Sequence, residues 1–427
     1  MPHDPSEDRT EGGVSERYAA TTGSEGGFEM AIRLNGIARL AAIVLVACLA
    51  MGFVIAPGLV EKRHNIRFAD PPYRVSSALA KVHETLLVAD LHSDALLWDR
   101  DLTRRSERGH VDIPRLIEGN VAVQLFSVVT KIPKGRNIER NDDASDQITK
   151  LAVVQLWPPR TWGSLKQRAL HQARKLKRFA EQSNGQLTIV KTGGDLHRYL
   201  ERRSREPQIT AGILGLEGAQ ALERDLGNLE ELFEAGFRTI GLVHFFDNEV
   251  GGSAHGVLKG GLTELGRQVV VRMERLGILV DLAHASPALI DDVLEMAQKP
   301  VVVSHTGVKG TCDTKRNLPD DHLRRIAQTG GVIGIGYWPD AVCGEDVEVI
   351  VRAIRYTADL VGVDHVGLGS DYDGSTEVSF DASGMALLTA GLLDDGFTAN
   401  EIRQIMGGNV LRVLAEVLPD DPPEVRR

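Results

Sequence analysis

At 427 residues the chain is longer than a minimal domain and long enough for one large barrel with an appendage. Its 42% hydrophobic and 25% charged residues are ordinary for a globular protein with a sizeable core, and a net charge of −10 without a basic stripe argues against a nucleic-acid partner. Three cysteines are too few for a disulfide framework, and spacing does not decide whether Cys312 and Cys343 pair.

Residues 1–36 are rich in Gly, Ser, Thr, Asp and Glu, show little periodicity and read as disordered. Residues 37–60 read as a transmembrane or signal-anchor segment. Leu40 to Ala56 carries no charge, Pro57-Gly-Leu-Val60 prolongs it, and about 21 residues at about 1.5 Å each match a hydrocarbon core of about 30 Å. A cleaved signal peptide is the second reading, since the flank with Arg33 and Arg39 is basic. A buried core helix is the third, and nothing nearby offers to pack around it. Positive charge lies on both sides, so the positive-inside rule does not orient the segment. Residues 61–75 read as a linker, 76–419 as a barrel domain and 420–427 as a solvated tail.

From about Ser76, short apolar or β-branched runs alternate with helix-like stretches, the pattern of a parallel sheet with crossover helices. The runs are Leu87–His92, Val121–Val129, Gly212–Glu217, Thr239–His244, Ile278–His284, Val301–His305, Val332–Trp338 and His365–Asp371. Eight is the number that closes a (β/α)8 TIM-type barrel. Between them, Leu262–Leu276 carries apolar residues at helical spacing with Gly277 as a stop, and Pro287–Ala297 and Asp320–Gln328 behave likewise. Lys131 to Thr210 is an insertion. Its helix-like Leu165–Gln182 is rich in Lys and Arg, which reads as a solvated face. An open doubly wound sheet also alternates strands and helices, but no Gly-rich phosphate loop follows the first run.

The ends of these runs carry the ionisable groups. The first gives Asp90-Leu-His92-Ser-Asp94, the third Glu217, the fourth His244, the fifth His284, the sixth His305 and the eighth Asp371. Alternation turns His92 and Asp94 to one side, into the mouth at the C-terminal face of the barrel. Imidazole and carboxylate suit zinc, and several such groups sharing a partly buried mouth cost several kcal/mol each unless partnered. Divalent cations cancel that cost, so the conjunction points to a metal site where a single His would not. Asp90 is equally well read as a structural carboxylate. Asp371 and Asp373 share a face by alternation, so their roles are interchangeable at this level.

With those residues in view, the chain resembles the membrane (renal-type) dipeptidase family of zinc peptidases from about Val88 to Leu414. The resemblance rests on Asp90-Leu-His-Ser-Asp94, His110-Val-Asp-Ile-Pro-Arg-Leu116, Gly215-Leu-Glu-Gly218, Val280-Asp-Leu-Ala-His-Ala-Ser286, Ser304-His305, Arg316-Asn-Leu-Pro-Asp-Asp321, Gly369-Ser-Asp-Tyr-Asp-Gly374 and Gly407-Gly-Asn409. It implies two Zn2+ per chain, one on His92 and Asp94, the other on His284 and His305, with Glu217 bridging both. It implies a hydroxide between the ions as nucleophile, Asp371 as the proton-handling group, His244 at the oxyanion and Arg316 on the terminal carboxylate of a dipeptide. It also implies tolerance for a D-residue at the C-terminal position.

The chain departs from the better-known animal sequences after His244, where Phe245 to Gly256 replaces a Trp-containing loop, so side-chain preference is open there. His255 is a candidate substrate contact or a plain loop residue, and Tyr337 and Trp338 a candidate apolar wall or core. The expectation is a dipeptidase held by one helix to a membrane, its barrel outside the cytoplasm, with a homodimer allowed. The rivals are another metal-dependent amidohydrolase on the same barrel, a deaminase or lactonase, and a non-catalytic metal-stabilised binding protein. Arg316 and Asp371 discriminate, because the first rival has no evident need for Arg316 and the second none for Asp371.

Overall fold

A computed structural model describes residues 25–421. Among these, eight parallel strands close a barrel: β1 (Val88–Ser93), β2 (Val121–Phe126), β3 (Thr210–Leu216), β4 (Phe237–Gly241), β5 (Leu279–Asp281), β6 (Val302–Thr306), β7 (Val332–Ile335) and β8 (Val366–Leu368). Neighbours in sequence are neighbours in space. Pairing of β8 with β1, Leu368 opposite Asp90, completes the ring. Every residue of these strands is buried, as expected of a parallel sheet covered by helices, and this is why they read as near-continuous apolar runs. Each expected run overlaps its strand, so the barrel is the (β/α)8 type anticipated.

The helices follow their sequence signals. Glu264–Leu276 is capped by Thr263, whose side chain accepts from Gly266 N, an interaction worth about 1 kcal/mol. It ends at Gly277, at φ 71°, where a Cβ would stand 2.7 Å from Pro419 N. Asp320–Gln328 has the bounds expected of it.

The insertion holds the helices Gln147–Val154, Leu165–Gln182 and Gly193–Arg203, with a short strand, Leu187–Ile189, that adds to β3 outside the ring. The Lys/Arg-rich Leu165–Gln182 is not simply a solvated face. Arg168 and Lys175, seven residues apart and hence on one side of the helix, are buried. Arg168 Nη1 donates to Thr130 O at 2.7 Å and to Asp146 Oδ2 at 2.6 Å. Lys175 Nζ donates to Leu96 O at 2.6 Å and Trp98 O at 2.7 Å. Those carbonyls belong to distant segments, so the inward face is invisible in the helix's own sequence.

The N-terminal helix runs Glu25–His64, beginning inside the stretch read as disordered; the rest of that stretch, residues 1–24, lies outside the described residues, as do residues 422–427 of the expected tail. Within it Ala38–His64 is long and apolar enough to cross a membrane, at mean hydropathy 2.6. The chain divides after Val54, and the part from Ile55 onward contains the barrel. Residues 61–75, read as a linker, are packed on that barrel. Glu61 and Asn65 are buried, Ile66–Arg67 pairs in parallel with Glu377–Val378, and Arg67 Nη1 reaches Asp381 Oδ2 at 2.8 Å. The stretch read as a linker because Asn65, Ile66 and Arg67 find their partners about three hundred residues away, at Ser375, Glu377 and Asp381. A disulfide joins Cys312, in the loop after β6, to Cys343, beyond β7.

Candidate metal centre and substrate cavity

All the site residues expected from sequence gather at the C-terminal mouth of the barrel. His92 and His305 lie within β1 and β6; Asp94 and Glu217 directly follow β1 and β3; His244, His284 and Asp371 stand three residues beyond β4, β5 and β8. Glu217 is the hub. Its Oε1 lies 3.0 Å from His284 Nε2, 3.4 Å from His305 Nε2 and 3.6 Å from His92 Nε2, and its Oε2 lies 3.1 Å from His244 Nε2. His92 Nε2 is also 3.5 Å from Asp94 Oδ1 and 4.0 Å from Asp371 Oδ1. His284 Nε2 and His305 Nε2 come within 3.0 Å, two nitrogens aimed at one point.

This donor set fits metal ions. Three trios have ligand atoms close enough to share an ion: His92, Glu217 and His305; Glu217, His244 and His284; and His92, Asp94 and Asp371. These trios cross the partition implied by the resemblance, and His244 enters one of them. His92 Nε2 and Asp94 Oδ1 are buried without a hydrogen-bond partner among the described residues, a costly arrangement unless something cationic satisfies them.

The charges point the same way. Burial pushes Glu217 well above the usual carboxylate range, with Asp94 adding to the effect. Burial also raises Asp371, to about 7, against the pull of His92. Burial lowers His92, yet Glu217, Asp94 and Asp371 together outweigh it and hold the imidazole up at about 10. His284 and His305 are pushed well below their usual range by burial, leaving neutral rings whose lone pairs are free to ligate. Acidic groups crowded into one buried mouth resist ionising together, a condition that a divalent ion relieves.

Several open assignments resolve in the geometry. Asp373 is fully buried, pairs with Arg100 and accepts from His110 N at 2.7 Å and Val111 N at 3.1 Å, so it has no access to a substrate. Asp371 faces the cavity. Asp90 accepts from Ser370 N and Ser370 Oγ, each at 2.8 Å, and from Gln124 Nε2 at 2.7 Å: it ties β8 and β2 to β1 and is structural. Tyr337 is core, whereas Trp338 borders the cavity. His255 is buried behind Phe245, its Nδ1 donating to Ile138 O at 3.0 Å, and does not border the cavity. Arg316 is buried, its Nη2 donating to His305 O at 2.6 Å, and its guanidinium lies 5.7 Å from the Trp338 ring centroid.

The cavity above the cluster measures about 830 Å³ and is bordered by Asp94, Glu217, His244, His284, Arg316 and Asp371. That is ample for a small ligand. Sequence reasoning missed Arg136, which also borders it, donates from Nη2 to Ser375 O at 2.9 Å and lies 5.1 Å from the Phe245 ring. Arg136 belongs to the irregular start of the insertion, where no periodicity marks it. The loop carrying Asp371 is strained: Asp371, Asp373 and Ser375 have φ of 57°, 64° and 64°. Each such residue costs about 1–3 kcal/mol unless its surroundings hold it there.

The family model for membrane dipeptidase, peptidase family M19, matches residues 77–419. Dipeptidase tcpJ of Claviceps purpurea is 30% identical over 328 residues, covering 75% of this chain and 72% of the relative. Dipeptidase aclJ of Aspergillus oryzae is 28% identical over 364 residues, covering 80% of each. Among solved structures, a metallo peptidase of Rhodobacter sphaeroides, liganded with a phosphinate mimic of the dipeptide L-Ala-D-Ala, superposes with a TM-score of 0.63 at 25% identity, covering 78% of this chain and 99% of that one. The chain therefore belongs to the membrane dipeptidase family, peptidase family M19.

Proposed function

We propose that the protein is a two-zinc dipeptidase that accepts a D-residue at the C-terminal position of its substrate. The observation that carries this reading is the convergence of His92, Asp94, Glu217, His284 and His305 beneath a cavity that also presents Asp371 and Arg316. His92 and Asp94 would hold one ion, His284 and His305 the other, and Glu217 both. When bound, such ions polarise a carbonyl and acidify water to a pKa of about 7.

The chain's own groups do the rest. Arg316, oriented by His305 O and Trp338, receives the terminal carboxylate of the substrate, which favours two-residue peptides over longer ones. The Asp371 carboxyl, held up at about 7, takes a proton from the attacking water and returns one to the departing amine. His244 Nε2, as the protonated tautomer, donates to the oxyanion. The L-Ala-D-Ala mimic bound by the Rhodobacter sphaeroides neighbour supports tolerance of a D-residue.

The Cys312–Cys343 disulfide suits an oxidising compartment and the uncharged run Leu40 to Ala56 suits a membrane, which supports an anchored enzyme with its barrel outside the cytoplasm. The test is a panel of L,L and L,D dipeptides offered to the full-length, zinc-loaded protein in detergent. Hydrolysis abolished by a chelator and restored by zinc is expected. Absence of hydrolysis across the panel, or indifference to the chelator, refutes the reading.

A further inference from the structure

The strained loop that carries Asp371 is held partly from outside the barrel. Asn65 Oδ1 accepts from Ser375 N at 3.0 Å, His64 Nδ1 lies 2.8 Å from Ser375 Oγ, and Ile66 N donates to Thr376 O at 3.1 Å. Thr376 Oγ1 in turn donates to Asp371 O at 2.8 Å. Glu61, 1% exposed, meets Arg100 Nε at 2.6 Å, and Arg100 pairs with Asp373. Two short relays thus run from the end of the N-terminal helix to the loop bearing Asp371, one through Arg100 to Asp373 and one to Ser375 and Thr376. Val60 and His64 also border the cavity, and His64 stacks on Trp98 with ring centroids 6.1 Å apart.

A tether has no use for these features. It needs length and hydropathy, and burying Glu61 and Asn65 is costly without partners that repay it. A loop with three side-chain-bearing residues at positive φ, by contrast, needs external restraint to stay where it is.

We propose that residues 60–67 are an integral part of the active site: Glu61, His64 and Asn65 position the loop bearing Asp371, and Val60 with His64 forms a wall that limits substrate side-chain size. The proposal rests on the dipeptidase reading for its kinetic consequences but not for its structural one. It also means that any cleavage freeing the barrel from its anchor must fall before Val60 to leave the site complete.

The test uses the full-length protein in detergent, loaded with zinc. Asn65→Ala, which removes the acceptor of Ser375 N, is expected to lower kcat tenfold or more with KM and metal content within twofold. Asn65→Asp, which keeps an acceptor oxygen there, is expected to recover at least half of the loss. In hydrogen exchange, Asn65→Ala is expected to speed exchange of amides in residues 372–376 at least tenfold while β6 and β7 stay unchanged. Val60→Trp is expected to raise KM at least fivefold for dipeptides with large side chains and to leave Gly-Gly within twofold. Unchanged exchange in Asn65→Ala overturns the positioning role whatever the substrate, and so does unchanged kcat. A uniform or absent KM effect in Val60→Trp overturns the wall. An unsubstituted protein inactive on every dipeptide, with exchange responding as expected, sinks the dipeptidase reading and leaves the positioning role standing.

Discussion

Replacing Arg316 with alanine tests the substrate assignment most directly. The side chain is 5% exposed, tied to His305 O at 2.6 Å and set 5.7 Å from the Trp338 ring, so its orientation exists before substrate arrives. Hydrogen bonds to charged groups contribute about 1.5–3 kcal/mol each, and a guanidinium meets a carboxylate with two. Taking the lower figure for both, because water enters the vacated space, gives a loss of about 3 kcal/mol, or about a hundredfold at 1.36 kcal/mol per decade. The carboxylate keeps its charge while the peptide bond breaks, so the loss falls on KM, with kcat within a few fold. Steady-state kinetics on one dipeptide and on its C-terminal amide separates this from general damage. The amide lacks the partner charge, so wild type and Arg316→Ala should handle it alike, whereas only wild type should gain from the free acid. An equal loss on acid and amide, or an unchanged KM for the acid, refutes the assignment.

Asp371→Asn should match the wild-type metal content by elemental analysis yet lower kcat a hundredfold or more, a general acid–base magnitude; near-normal turnover removes Asp371 from proton handling. Lys175, lowered by burial from 10.5 to about 7, binds a proton more weakly folded than unfolded. Stability should therefore climb as pH rises from about 7 towards 10.5, by at most about 5 kcal/mol (3.5 units at 1.36 kcal/mol each). Urea unfolding across that range should show the climb in wild type and a flatter curve in Lys175→Met, and parallel curves would contradict it. Cys312→Ser opens a bridge between residues 31 apart, which on the chain-entropy relation costs about 3–4 kcal/mol, readable as a lower denaturation midpoint without loss of zinc.

The barrel was legible because burial on both faces leaves a strong apolar signature in each strand, and because crossover helices are punctuated by stop signals such as Gly277. Strand ends were less legible. The expected runs reached Trp338 and Asp371, but β7 stops at Ile335 and β8 at Leu368. There the chain leaves the sheet to aim side chains into the mouth, and apolar residues that line a cavity look the same in sequence as those that line a core.

Alternation shows most clearly where such reasoning stops. It holds for His92 and Asp94, which still flank the end of β1 and stand 3.5 Å apart. It fails for Asp371 and Asp373, which alternation turns to one face, because both adopt left-handed backbone at φ 57° and 64°. A left-handed residue reverses the local direction of the chain, so one carboxylate enters the cavity and the other turns into the buried pair with Arg100. His284, at φ 63°, is a ligand candidate that lies outside strand geometry for the same reason. The residues at which local pattern fails are thus those whose backbone is held in place by distant contacts. Glu61, Asn65 and Arg136 supply such contacts, yet each sits among other polar residues in its stretch of chain. Nothing local distinguishes them from solvated neighbours, because what makes them matter lies elsewhere in the chain: the loop itself, more than two hundred residues later, for Asn65 and Arg136, and Arg100, which pairs with Asp373, for Glu61.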